Sequence, residues 1–217
     1  MQHLLAARLY LAMDAQTGRP VRSPVAAWGA DPRFWVGSIA PDAVSGWKEK
    51  DHSHFRDAED RGAALAELSR ATGFAEPFAE AVLLHLFVDW KWDRGPMQAF
   101  RDLRGDSDWF LPYRDEIRKL GVWLYHHTDW SHEVWDLMEQ CRTCAYGRIE
   151  GATAQDIQNL VRRNRQWHID NPLAEPGFYT PEATERFLTG VLEEYRGWRA
   201  AHSSYIKMKE ERTNEEF

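Results

Sequence analysis

Apolar residues recur at helical spacing over most of the chain, and no strand-length window alternates cleanly between apolar and polar. Residues 3–13 combine strong helix formers with no breaker and predict a first helix. Helices are predicted for residues 57–71, ended near Gly73, and for 76–92, stopped by Gly95-Pro96. Residues 110–127 and 131–146 predict two more. Thr153 with Asp156 resembles a capping box and opens a helix to about Ile169. Thr180-Pro181-Glu182 supplies an N-cap, a proline at the first helical position and an acid at the positive end of the dipole. Phe187, Leu188, Val191, Leu192, Tyr195 and Trp198 then keep one helix face apolar. The predicted class is all-α: one helical domain over residues 1–204 and a charged, frayed tail over 205–217.

Residues 14–55 break this rhythm. Pro20, Pro24, Pro32 and Pro41 alternate with Gly18, Gly29, Gly37 and Gly46, so little regular structure is expected. A connection of this length is uncommon inside a domain, and when present it usually carries function. Phe34, Trp35, Val36, Ile39 and Trp47 make it too apolar to be a solvated linker. The expectation is a long N-terminal loop packed over the body of the protein.

Composition narrows the function classes. At 217 residues, with 43% hydrophobic and 28% charged residues, the chain has the make-up of one ordinary domain. A formal charge of −7 without a basic run argues against a nucleic-acid partner. No apolar stretch approaches the roughly 18 residues of a membrane span. The run from Ala79 to Val88 is interrupted by Glu80 and His85, so no stable membrane insertion is expected. The start of the chain lacks a signal-peptide pattern, which predicts a cytoplasmic protein. Cys141 and Cys144 fit a reducing compartment and are read as idle thiols. The 11 tryptophans predict a core built from large rings; the alternative is that one or two of Trp35, Trp47, Trp90 and Trp92 wall a substrate pocket.

Candidate chemistry is concentrated in the 76–92 helix. It is apolar nearly all round, which marks a buried helix, and His85 and Asp89 share one of its faces. A buried carboxylate needs a cation or strong donors. One metal ion can take a nitrogen and an oxygen from such a pair; the alternative is that His85 donates to Asp89 or to a backbone carbonyl. A second cluster lies in the loop. Asp42 follows Pro41 in a turn-like position that aims its carboxylate inward, and Lys50-Asp51-His52-Ser53-His54 follows. His52 and His54 point to opposite sides of an extended segment, so one of the two reaches a given ion. His3 opens the first helix.

Taken in order, His3-Leu-Leu-Ala-Ala, Phe34-Trp-Val-Gly-Ser-Ile-Ala-Pro-Asp42, His54-Phe55 and His85-x-x-x-Asp89 resemble the zinc-dependent phospholipase C family over residues 1–95. The resemblance implies an all-helical fold whose zinc ions activate water to cleave a phosphodiester. It also implies that Asp42, His54, His85 and Asp89 are ligands of the principal metal site, with His3 in or beside it. The chain departs from the secreted members, which use a processed N-terminal residue as a ligand and have a histidine six residues after the helix aspartate. Gly95 stands at that place, so a third metal is not expected. His126, His127, His132 and Glu133 are substitutes that no spacing demands.

The expected cofactor is zinc, or manganese, iron or nickel, as one ion or two. The candidate catalytic residues are Asp42, Asp93 and His52: Asp93 as an acid able to shuttle a proton, His52 for contact with a ligand side chain or substrate. The expected substrate is a small phosphoester, and a homo-oligomer is compatible with the sequence. Were the substrate to carry a quaternary ammonium group, Trp35, Trp47 or Trp90 would offer it a cation–π contact. Two other readings compete: a phosphohydrolase of the HD type acting on a small phosphomonoester or nucleotide, and a non-enzymatic metal-binding helical protein. In His126-His127-Thr128-Asp129 a threonine separates His from Asp, so the HD signature is not met. There is no glycine-rich phosphate loop and no Gly-x-Ser-x-Gly elbow.

Overall fold

Caps and prolines set where the helices begin. In a computed structural model of the chain, residues 1–16, 28–105, 107–141 and 152–215 are described, with side chains to residue 13 in the first helix and to 203 in the last. The helices are α1 (Gln2–Gln16), α2 (Pro32–Gly37), α3 (Trp47–Ser53), α4 (Arg61–Thr72), α5 (Pro77–Arg94), α6 (Pro96–Arg104), α7 (Phe110–His127), α8 (Asp129–Gln140), α9 (Ala154–Asp170) and α10 (Pro181–Glu215). Short 3₁₀ turns cover Trp28–Ala30 and Ala40–Ala43. The fold is all-α, with no strand among the described residues. No described helix is long and apolar enough to cross a membrane.

The capping signals act as expected. Thr153 and Asp156 form a reciprocal capping box at α9, and the Thr180 hydroxyl accepts from Ala183 N–H at 3.2 Å at α10. Elsewhere the structure corrects the prediction. The helix expected from residue 57 starts at Arg61, because the Asp60 side chain accepts from Ala63 N–H at 3.0 Å. Gly95-Pro96 ends α5 but also opens α6, which buries Phe100. The loop of 14–55 contains two helices and two 3₁₀ turns, since Pro32 and Pro41 sit in first-turn positions where no N–H is needed. Gly18, Pro20 and Pro24 lie outside the described residues, as does the stretch 142–146 of the helix predicted to follow 131. The last helix extends to Glu215. Cys141 is disulfide-bonded rather than an idle thiol, and Cys144 lies outside the described residues.

Helix α5 is the hub. Every residue from Pro77 to Asp89 is buried, and the helix packs against α1, α2, α4, α6, α10 and the Ala40–Ala43 turn. Glu80 anchors it to two neighbours: its carboxylate accepts from Tyr10 on α1 at 2.7 Å and from Tyr195 and Arg199 on α10 at 3.0 and 2.8 Å. Burial raises the Glu80 pKa, and the Arg199 guanidinium offsets part of that rise. On the other side α2 lies almost on the α5 backbone. A Cβ on Gly37 would stand 2.5 Å from the Phe78 carbonyl oxygen. Gly37→Ala is therefore expected to destabilise the fold by about 1–3 kcal/mol. Urea denaturation checks this; an unchanged midpoint would contradict the close approach.

Candidate metal centre

Four separate elements bring the candidate ligands together. His85 and Asp89 project from one face of α5, His3 comes from the first turn of α1, Asp42 from the 3₁₀ turn and His54 from the C-cap of α3. His3 Nε2 lies 3.2 Å from Asp89 Oδ1, and the His3 ring stacks on His85 at 3.7 Å. His54 Nε2 lies 3.2 Å from His85 Nε2, 3.4 Å from Asp89 Oδ2 and 3.5 Å from Asp42 Oδ1. Two ligand-type groups result, His3/His85/Asp89 and Asp42/His54/His85, each with donor atoms within 4.8 Å of one another. His85 belongs to both.

The hydrogen bonds behind the histidines fix their tautomers. His85 Nδ1–H donates to the Ser38 carbonyl at 2.8 Å, and His54 Nδ1–H donates to the Lys50 carbonyl at 2.8 Å. A carbonyl only accepts, so both Nδ1 atoms carry the proton. In the neutral rings both Nε2 atoms then present lone pairs, and these face each other across 3.2 Å. Burial lowers the His85 pKa to about 3, and the neighbouring His3 adds to the effect, so this ring stays neutral. Two neutral imidazoles opposed in this way can take a cation between them. Backbone carbonyls behind metal-bound histidines serve this orienting purpose. The donor set fits a divalent transition ion.

The carboxylates match that reading. Burial pushes Asp89 upward, but the charge and hydrogen bond of His3 outweigh it and hold the group ionised. Burial likewise acts upward on Asp42, and Lys50 and His54 bring it well below the usual range. Lys50 Nζ is 2.6 Å from Asp42 Oδ1, and Arg56 Nη2 donates to Asp89 Oδ2 at 3.1 Å. Between these cations Phe55 holds a positive φ of 55°, uncommon for a bulky residue. That turn lets His54 enter the core while Arg56 returns along the outside.

Of the predicted site residues, the structure gathers His3, Asp42, His54, His85 and Asp89. It does not gather His52, whose side chain is 58% exposed and bonded to Asp57 at 3.1 Å. One of the two histidines reaches the centre as expected, but the segment is helical, not extended. Asp93 is close by in another capacity. Its carboxylate accepts from Arg56 Nε at 2.9 Å and Arg61 Nη1 at 2.7 Å, so it anchors guanidinium groups and is not placed as a proton shuttle. Two of the tryptophans named for a pocket wall belong to the core. Trp35 and Trp92 are buried, with indole N–H groups donated to the Gly29 carbonyl and the Tyr113 hydroxyl. Trp90 faces Lys91 at 4.8 Å, while Trp47 is 61% exposed and meets Phe110. His126, His127, His132 and Glu133 are exposed and in neither ligand group.

Lys50 and Arg56 escaped the sequence reading. Lys50 lies one helical turn before His54, a spacing that becomes visible once residues 47–53 are read as helix. His168 was missed too. It is buried on α9 among Tyr125, Trp135 and Trp167, its Nδ1–H donating to the Asn164 carbonyl at 2.6 Å. No protein-family model, no curated protein and no solved structure matches this chain, so the ligand geometry and the motif residues stand without a relative beside them.

Proposed function

We propose that the chain is a metal-dependent hydrolase of a small phosphoester, with His3, Asp42, His54, His85 and Asp89 holding one divalent ion or two. The observation that carries this reading is the pair of carbonyl-backed histidines whose Nε2 atoms lie 3.2 Å apart between Asp42 and Asp89. The resemblance of the same five positions to zinc-dependent phospholipases C supports the phosphoester chemistry. A bound transition ion supplies Lewis-acid activation of water and of a phosphoryl oxygen.

The chain's own residues do the rest. Ser38 and Lys50 carbonyls aim the two imidazoles, and the aspartates supply charge that the buried site otherwise lacks. Arg56, braced by Asp93, fixes one Asp89 oxygen. His3 Nδ1 is buried and without a partner among the described residues, so this ring is positioned by stacking and by Asp89 alone.

The test is an assay of protein loaded with zinc, manganese, iron or nickel against aryl phosphodiesters, choline phosphodiesters and phosphomonoesters. Turnover of a phosphoester that disappears with chelator is expected. Fully loaded protein that turns over none of them would contradict the reading.

A further inference from the structure

Charge around the centre points to the kind of phosphoester it takes. The three less exposed carboxylates, Asp42, Asp89 and Asp93, pair one for one with Lys50, Arg56 and Arg61 through contacts of 2.6–3.1 Å, while Asp51, 49% exposed and screened by solvent, meets Arg56 at a longer distance. Histidines bind a metal in the neutral form. A divalent ion held by Asp42 and Asp89 therefore leaves two positive charges in excess in a largely buried place, where uncompensated charge is costly. Two of the cations stand at the edge of the centre. Lys50 and Arg56 have side chains 34% and 27% exposed, and each contacts a carboxylate that itself touches His54 Nε2. Arg56 Nη1 has only a 3.8 Å contact with Asp51. Arg61 is the buried brace, sharing Asp93 with Arg56.

We propose that Lys50 and Arg56 grip the non-bridging oxygens of a dianionic phosphate, so that the substrate is a phosphomonoester rather than a phosphodiester or a choline ester. This rests on the metal-dependent reading above. A phosphomonoester dianion cancels the excess left by one divalent ion; a diester monoanion leaves half of it. Lysine and arginine at this edge also repel a quaternary ammonium group.

Isothermal titration of the metal-loaded protein at about pH 8, where inorganic phosphate is mainly dianionic, tests this with inorganic phosphate and dimethyl phosphate as probes. Wild type is expected to bind phosphate at least about tenfold more tightly than dimethyl phosphate. Compared per bound metal ion, Lys50→Met and Arg56→Gln should each remove most of that preference, and Lys50→Arg should keep it. Circular dichroism confirms that the variants fold. Equal binding of the two probes, binding of neither, or a preference that survives both charge-removing variants would overturn the proposal. Phosphate affinity that is the same with and without metal would instead count against the metal-dependent reading, while the variants still decide the role of Lys50 and Arg56.

Discussion

His85→Ala is expected to empty the metal centre and to destabilise the metal-free fold by about 3 kcal/mol. The imidazole is in both ligand groups, so its loss leaves neither complete. Its structural share is separate: the Ser38 carbonyl loses its donor, the His3 ring loses its stacking partner and a cavity opens in the hub helix. Metal affinity should fall by more than the 10–100-fold typical of removing a supporting hydrogen bond. Metal content by mass spectrometry and urea denaturation with and without chelator separate the two effects. His52→Ala, at an exposed position off the centre, should change neither. A His85→Ala protein that keeps full metal content would contradict the ligand assignment.

Metal-free protein is expected to lose stability steeply below about pH 6.5. Burial lowers both His85 and His168 from 6.5 to about 3. In the unfolded chain these rings protonate near 6.5, whereas the fold keeps them neutral until about 3. The unfolded state therefore binds more protons throughout that window, and stability falls with falling pH by about 1.4 kcal/mol per pH unit for each histidine. The depressed aspartates act in the same direction, their contribution being lost as pH falls through their low folded values. Urea denaturation at stepped pH measures the slope, and His168→Gln should remove about half of the histidine share. A flat profile between pH 6 and 4 would show that the rings are not held neutral.

What the sequence revealed and what it hid have physical causes. Helix α5 was legible because a run buried on all sides leaves His85 and Asp89 no solvent to face. The capping box at Thr153 and the Thr180-Pro181 start were legible because caps are local. Residues 28–56 hide their helices because proline, a breaker inside a helix, here initiates short elements at Pro32 and Pro41. With α3 unseen, the helical relation of Lys50 to His54 was unseen too. The partners of Asp93, Arg56 and Arg61, come from more than thirty residues earlier in the chain, beyond any local pattern. The tryptophans divide by burial, which composition does not report.

The most direct measurement is anomalous diffraction at the zinc edge from crystals of zinc-loaded protein. The expected result is a peak within coordination distance of both His54 Nε2 and His85 Nε2, flanked by Asp42 and Asp89. A zinc-loaded crystal with no peak there, and a hydrogen bond shared between the two imidazoles in its place, would contradict the metal centre.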